Sequence, residues 1–259
     1  MKYIQRPPDL PVNKCANKFL SGSECSCNGI KYFKILFEKE RKMKSINNLC
    51  RQDALLIFCF IFSMVLFCCP ASAQNIIEEW NTVKAPPAPE LKSVTIDPNV
   101  TALLLLDFNK QTCNADRRPR CITSIPKVQK LLAEARAKGV YVVYSLSPGA
   151  AAADIAKDLA PLVNEPVVTS GPDKFLGTDL EKILKEKGIK TVIVTGTAAH
   201  GAVLYTASEA ALRGMQVVVP VDGMSAESTY AEQYVAWNMA NAPRVSNQSV
   251  LTKVDMIKY

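Results

Sequence analysis

The sequence predicts an α/β fold with three layers, α/β/α, built around a mainly parallel sheet of about six strands. Three observations predict it. Short apolar runs without polar alternation recur along the chain, as expected of strands buried on both faces. Between them lie segments whose apolar residues fall at helical spacing. Short connections rich in glycine and polar residues join the two kinds, so each strand is followed by a crossover helix.

The elements follow in order. Thr101–Asp107 is a continuous apolar run ending in a carboxylate. Ser124–Lys138 has helical spacing, with Pro126 suited to a first turn and Gly139 to a stop. Val140–Ser145 is the second strand, Asp154–Val163 a weaker helix, and Pro166–Thr169 a short third strand. Asp179–Lys187 is a helix capped by Thr178 and ended by Gly188, and Lys190–Thr195 is the fourth strand. Gly201–Arg213 is a helix ended by Gly214, Met215–Val221 the fifth strand, Ser228–Ala242 a helix and Ser249–Thr252 a sixth strand. In open parallel sheets ligands bind beyond the carboxyl ends of the strands. Here those ends are Asp107, Ser145, Thr169, Gly196 and Asp222.

Four segments precede or make up this domain. Residues 100–259 form the domain proper, and residues 74–99, with Ala85–Glu90 rich in proline, read as an extended lead-in arm. Residues 43–73 read as a secretory signal. Lys44 and Arg51 are followed by the apolar run Ala54–Cys69, then Pro70 and the small residues Ala71 and Ala73 of a cleavage site before Gln74. A retained membrane anchor is the competing reading, but 16 apolar residues are short of the roughly 20 that a spanning helix needs. A lipid-attachment site fits less well, because Phe67 precedes Cys68 where a small residue is required. Residues 1–42 lie upstream of a complete signal, so either Met43 is the true start and they are a mis-assigned extension, or they are a cytoplasmic extension.

Charge and cysteine usage agree with export, to a periplasm or outside the cell. Residues 1–73 carry 11 Lys+Arg against 5 Asp+Glu, whereas residues 74–259 carry 20 against 19. The basic excess therefore lies outside the folded domain, and nothing marks a nucleic-acid surface. No membrane association is expected once the signal is removed. Seven of the nine cysteines precede Gln74, leaving Cys113 and Cys121. In an oxidising compartment a disulfide between them is one use, worth about 2–3 kcal/mol. Metal ligation or a free thiol are the others, and the lone His200 and the lack of a Cys-x-x-Cys pair give neither a companion.

Three places carry candidate chemistry. Asp107 ends the most apolar strand, with Asn109 two residues on, and it serves either as a site carboxylate or as a loop cap. Lys174, in the loop Gly171–Asp179, either reaches the crevice or is a solvated loop lysine. Val194–Ala207 is a strand, a turn of small residues and a helix start whose free N–H groups suit an oxyanion or carboxylate. Its glycines are too few and wrongly spaced for a dinucleotide fingerprint or a P-loop. Arg117, Arg118 and Arg120 crowd the loop between the two cysteines. If that loop closes over the crevice it favours an anionic ligand, and otherwise it is a solvated basic loop.

Taken together, Leu103–Asn109, Lys174–Leu180, Thr195–Ala207 and Ala210–Gly223 resemble the isochorismatase-like hydrolases, the cysteine hydrolase family that includes nicotinamidases and isochorismatases. The resemblance runs from about Thr101 to about Ala226 and implies a Rossmann-like sheet, a small-molecule substrate and a homo-oligomer. It implies that Asp107 is the acid/base and that Lys174 holds it and offsets developing charge. It places a cis peptide at Ala198–Ala199, aiming backbone N–H groups into a site that Asn109, Phe175, Ala198, Ala199, His200 and Gly201 would line. The family's nucleophilic cysteine matches Ala202, and a methyl group cannot attack a carbonyl. Thr206, one turn further, has nothing to recommend it as a substitute. True isochorismatases resemble this chain in having a small residue there, with an Ala-His pair just before it, as in Ala199-His200. That branch protonates an enol ether and needs no nucleophile. His200 would then position substrate or brace the turn rather than transfer protons. No cofactor is implied, and the Asp and two His of metal-binding nicotinamidases are lacking after the first strand. The resemblance leaves two functions open: an exported hydrolase without a thiol nucleophile, or a binding protein of the same fold that does no chemistry.

Overall fold

The computed structural model describes residues 75–259, so the expectations for residues 1–42 and for the signal at 43–73 lie outside the described residues. The described residues fall into two parts, 75–81 and a compact unit at 82–259. In the first, helix α1 (Ile76–Glu79) is capped by Asn75, whose Oδ1 accepts the Ile77 and Glu78 N–H groups at 2.9 and 3.2 Å.

The compact unit is a seven-stranded parallel sheet. Its strands are β2 (Thr101–Leu106), β3 (Tyr141–Leu146), β4 (Val167–Thr169), β5 (Thr191–Thr197), β6 (Gln216–Pro220) and β8 (Ser249–Thr252), ordered β4-β3-β2-β5-β6-β8, with β7 (Met224–Ser225) pairing beyond β6 on β5. Every residue of the central strand β2 is buried, which is why it reads as an unbroken apolar run. The order turns outward on both sides of β2 and β5, and between these two strands lies the switch point, the place where open parallel sheets take their ligands.

Helices cover both faces. Helix α2 (Pro119–Ala137) buries Cys121, Ser124, Ile125, Val128, Leu131, Leu132 and Ala135, a stripe at three- and four-residue spacing, against Leu103, Leu105, Val142 and Ile193. Helices α3 (Leu180–Glu186), α4 (Leu204–Leu212) and α5 (Thr229–Asn241) cover the other face, against Leu104, Leu106, Val192, Val194 and Val217. Helix α2 ends at Gly139, whose φ of 77° supplies the left-handed turn into β3.

Four expectations are revised. Helix α2 starts at Pro119 rather than Ser124, and Pro126 lies inside it: both prolines suit a first turn, and the earlier one takes it. Asp154–Val163 is not a helix but two single 3-10 turns, Ala152–Asp154 and Lys157–Leu159, because Pro161 cuts short a stretch already pinned to the strand-β2 loop. That pinning consists of the Lys110 N–H on Asp154 O, the Ala156 N–H on Phe108 O and the Lys110–Asp154 ion pair. The helix expected from Gly201 begins with a π turn at Ala199–Val203 and becomes α-helical at Leu204. The compact unit begins at Thr82 rather than Val100. Lys92 bonds Leu251 of β8, and β1 (Val94–Thr95) pairs in parallel with β9 (Ile257–Lys258), so the arm is sewn to the chain's last residues.

Candidate active site

Asp107 follows β2 directly, with its backbone in the left-handed region at φ 55°. Aspartate is among the few side chains that tolerate this conformation. Its N–H still bonds Ser145 O at 3.2 Å and its carbonyl accepts the Thr112 hydroxyl, so the chain leaves the sheet here in a fixed turn.

Both carboxylate oxygens are held. Ser145 Oγ donates to Oδ1 at 2.7 Å and Lys174 Nζ to Oδ2 at 2.8 Å. The Asp107 side chain is 8% exposed and that of Lys174 is fully buried. Lys174 Nζ also donates to the carbonyls of Ser170 at 3.1 Å and Gly171 at 2.8 Å. An ammonium has three donors, so this one is saturated. Its backbone N–H bonds Thr206 Oγ1 at 3.2 Å, which ties the lysine loop to α4. Burial pushes the Asp107 carboxyl above the usual carboxylate range. The charge and hydrogen bond of Lys174, the Ser145 hydroxyl and the charge of Arg118 all pull the other way without cancelling it. The arrangement can hold a proton on a carboxyl group, deliver it, and keep the resulting carboxylate paired.

The second wall is the turn after β5. The cis peptide lies at Thr197–Ala198, one bond earlier than Ala198–Ala199, at the first peptide beyond the strand. Thr197 Oγ1 donates to Ser225 O at 3.1 Å, fixing the strand end. Ala198 O accepts the N–H groups of Gly201 at 3.0 Å and Val203 at 3.3 Å. Ala202 is 4% exposed and joins the core, and Ala199 is buried beside it. The Thr206 hydroxyl bonds backbone groups and is fully buried. Cys113 and Cys121 are bonded to each other, with Cα atoms 5.4 Å apart, among the residues on the α2 face.

The structure revises several further assignments. Asn109 is fully buried, and its amide bonds Gln111 at 2.8 Å, Ser147 Oγ at 3.0 Å and the Ser147 N–H at 3.4 Å. It braces two loops. Phe175 packs into the core beside Leu180 and Leu184, with the Arg213 guanidinium 4.5 Å from its ring centre. The arginine loop is not an open cationic lid. Arg118 is buried, and its Nε and Nη2 lie 2.7 and 2.6 Å from Glu227 Oε1 while Nη1 donates to Thr112 O at 3.0 Å. Arg120 pairs with Glu232, at 2.7 Å from Nε to Oε1. His200 Nε2 is 4.0 Å from the other Glu227 oxygen, and its side chain is 45% exposed. Asp222, at the end of β6, is taken up by the Val254 N–H at 3.0 Å and Lys127 at 3.2 Å.

Two residues escaped the sequence reading. In the sequence Ser145 stands out only as a strand end. Its register opposite Leu106, the residue before Asp107, was the signal that could have found it. Glu227 links Arg118 to His200, but it follows a two-residue strand that has no periodicity to read. Among the described residues no cluster of three or more His, Cys, Asp or Glu could hold a metal ion, and no helix is long and apolar enough to cross a membrane.

Comparison with known proteins adds a family model, the isochorismatase domain, which matches residues 101–249. The chain is 35% identical over 112 residues to a secreted isochorismatase effector of Verticillium dahliae, covering 39% of this chain and 59% of that protein. It is 31% identical over 130 residues to an N-carbamoylsarcosine amidase of Arthrobacter, covering 39% of this chain and 49% of that one. The chain thus spans about half to three fifths of the length of these relatives. An isochorismatase family protein from Desulfovibrio vulgaris superposes with a TM-score of 0.55 at 20% identity, covering 61% of this chain and 95% of that one. An isochorismatase-like hydrolase from Alkaliphilus metalliredigens gives 0.54 at 25% identity, covering 60% and 95%.

Proposed function

The chain belongs to the isochorismatase family, and from that premise we infer an exported hydrolase that acts on a small anionic substrate, with Asp107 as general acid/base and no cysteine nucleophile. The observation that carries this reading is the buried Asp107 carboxyl, raised by burial yet gripped by Lys174 and Ser145. Such a group keeps its proton to higher pH than an ordinary carboxyl and can donate it. Both cysteines among the described residues are bonded to each other and Thr206 is engaged, so the nucleophile position at Ala202 has no stand-in.

The reaction this supports is hydrolysis of an enol ether such as isochorismate. Asp107 gives its proton to the terminal alkene carbon, and the ether-bearing carbon becomes an oxocarbenium ion. The carboxylate left behind stays paired with Lys174 and Ser145, which lowers the cost of its new charge. Water adds to the cation and returns one proton to Asp107; the other proton of the hemiketal hydroxyl passes to the ring oxygen as its bond to carbon breaks, and pyruvate and an alcohol leave. The backbone N–H groups of His200 and Ala202 would bind the substrate's carboxylate, since those of Gly201 and Val203 are taken by Ala198 O, and His200 would orient it. Export fits the secreted effector among the relatives and the signal-like segment at 43–73. Cleavage before Gln74, a folded protein free of the membrane and assembly into a homo-oligomer belong to the same proposal.

A second reading is a small-molecule-binding protein of the same fold; it is favoured by the alanine at 202, which the motif resemblance sets at the position of the family's thiol. Assaying purified residues 74–259 against isochorismate and small amides, with Asp107→Asn alongside, separates the two. Pyruvate release that vanishes in the variant, with solvent deuterium in the pyruvate methyl group, supports carbon protonation by Asp107. Equal rates in both proteins would leave the binding reading.

A further inference from the structure

Two of the chain's asparagines satisfy the pattern Asn-x-Ser/Thr with x other than proline: Asn99-Val100-Thr101 and Asn247-Gln248-Ser249. This pattern is the acceptor for N-linked glycosylation in secreted proteins. The pattern alone is weak, but the structure treats the two copies alike. Each asparagine is exposed in a turn, and each hydroxyl residue is the first residue of a parallel strand, Thr101 of β2 and Ser249 of β8. Each hydroxyl bonds back to the carbonyl four residues earlier: Thr101 Oγ1 to Asp97 O at 2.7 Å, and Ser249 Oγ to Val245 O at 2.8 Å. Neither acceptor amide is locked in the interior. Asn99 Nδ2 makes one exposed bond, to Asp97 Oδ1 at 3.0 Å, and an amide nitrogen has a second hydrogen to give up.

The placement also keeps bulk away from the chemistry. Because the strands are parallel, both asparagines lie at the amino ends of the sheet, while Asp107 and Lys174 gather at the carboxyl ends. The six residues of β2 put about 20 Å between Asn99 and Asp107.

We propose that Asn99 and Asn247 are N-glycosylation sites, carrying oligosaccharides on the pole of the domain opposite the active site. This rests on the reading of the chain as exported, through a lumen that holds an oligosaccharyltransferase. The donor is an oligosaccharide linked to a lipid pyrophosphate. A bond forms between Asn Nδ2 and the anomeric carbon, the bond from that carbon to the phosphate oxygen breaks, and the lipid pyrophosphate leaves. The amide proton passes to a base of the transferase.

The test is secretion of the full chain from a eukaryotic host, beside Asn99→Gln, Asn247→Gln and the double variant. A parallel set carries a foreign leader in place of residues 1–73. Two mass steps are expected, one lost in each single variant and both in the double. Peptide-N-glycosidase should remove them and leave aspartate at 99 and 247 in peptide mass spectra. A secreted chain with the mass of the bare polypeptide overturns the proposal, and one step alone overturns it for the position that lacks it. Glycosylation seen only behind the foreign leader upholds the acceptor sites and instead removes the export reading of residues 43–73.

Discussion

Lys174 Nζ lies 2.8 Å from Asp107 Oδ2, with its two other hydrogens on the carbonyls of Ser170 and Gly171. The pair is therefore a fixed dipole beyond the carboxyl end of the central strand β2, with no spare proton on the lysine. The lysine's charge and hydrogen bond pull the Asp107 titration down against the effect of burial.

Replacing the cation shows how large that influence is. Lys174→Met leaves a buried carboxyl without its nearest charge, so the Asp107 titration should move further upward. Removing one partner of a buried pair costs about 3–5 kcal/mol when the other stays charged. Asp107 can escape by protonating, so the loss in urea unfolding should be large at pH 8 and small at pH 4. Equal losses at both pH values would show that the pair is not coupled.

The raised carboxyl fixes the sign of a pH dependence. The folded state binds the Asp107 proton more tightly than the unfolded chain, so this group's contribution to stability is complete below its ordinary value of 3.8. It is lost as pH rises through the higher folded value. The stability of the wild type relative to Asp107→Asn should fall across that window and then level off. Turnover that needs the protonated acid should decline over the same range. Ser145→Ala, which removes a 2.7 Å hydrogen bond to the carboxylate, should move both limbs to higher pH.

The Cys113–Cys121 bond closes a short loop that carries Arg118 to Glu227 and Thr112. Cys113→Ala/Cys121→Ala should lower stability by about 2.5 kcal/mol through the freed unfolded chain. Reductant should produce a similar drop in the melting temperature of the wild type and none in the double variant. Because Arg118 is among the charges that lower the Asp107 titration, a loosened loop should also let it rise.

Gly196 faces Leu106 across the β2–β5 ladder. A Cβ there would meet Leu106 O at 2.4 Å and Leu106 Cβ at 2.6 Å, at a φ of 143°. Gly196→Ala should cost about 1–3 kcal/mol or more, since the strands must part to admit it. Asp107 is the next residue after Leu106, so its titration should shift with the loss. A wild-type melting temperature would show that the ladder yields without strain.

The layers and most strands could be read from the chain because parallel strands buried on two faces leave apolar runs such as Leu103–Leu106. Asp107 and Lys174 could be read because the strand pattern and the family motifs put both at carboxyl ends. What the sequence hid is tertiary. Two-residue strands such as β1, β7 and β9 have no period. Pro119 and Pro126 give the same local signal, and only packing chooses between them. The loop–loop bonding of Asn109 and the packing of Phe175 under Arg213 are tertiary as well.

Strand β2 is shielded on both faces and both edges, and Asp107 hangs from its end. Backbone amides in such a strand exchange with deuterated solvent only when the whole domain opens. The acid therefore shares the fate of the most protected segment of the chain. Heating should abolish activity in one concerted step together with the exchange protection of Leu103–Leu106, with no intermediate in which the fold survives and the acid is already lost.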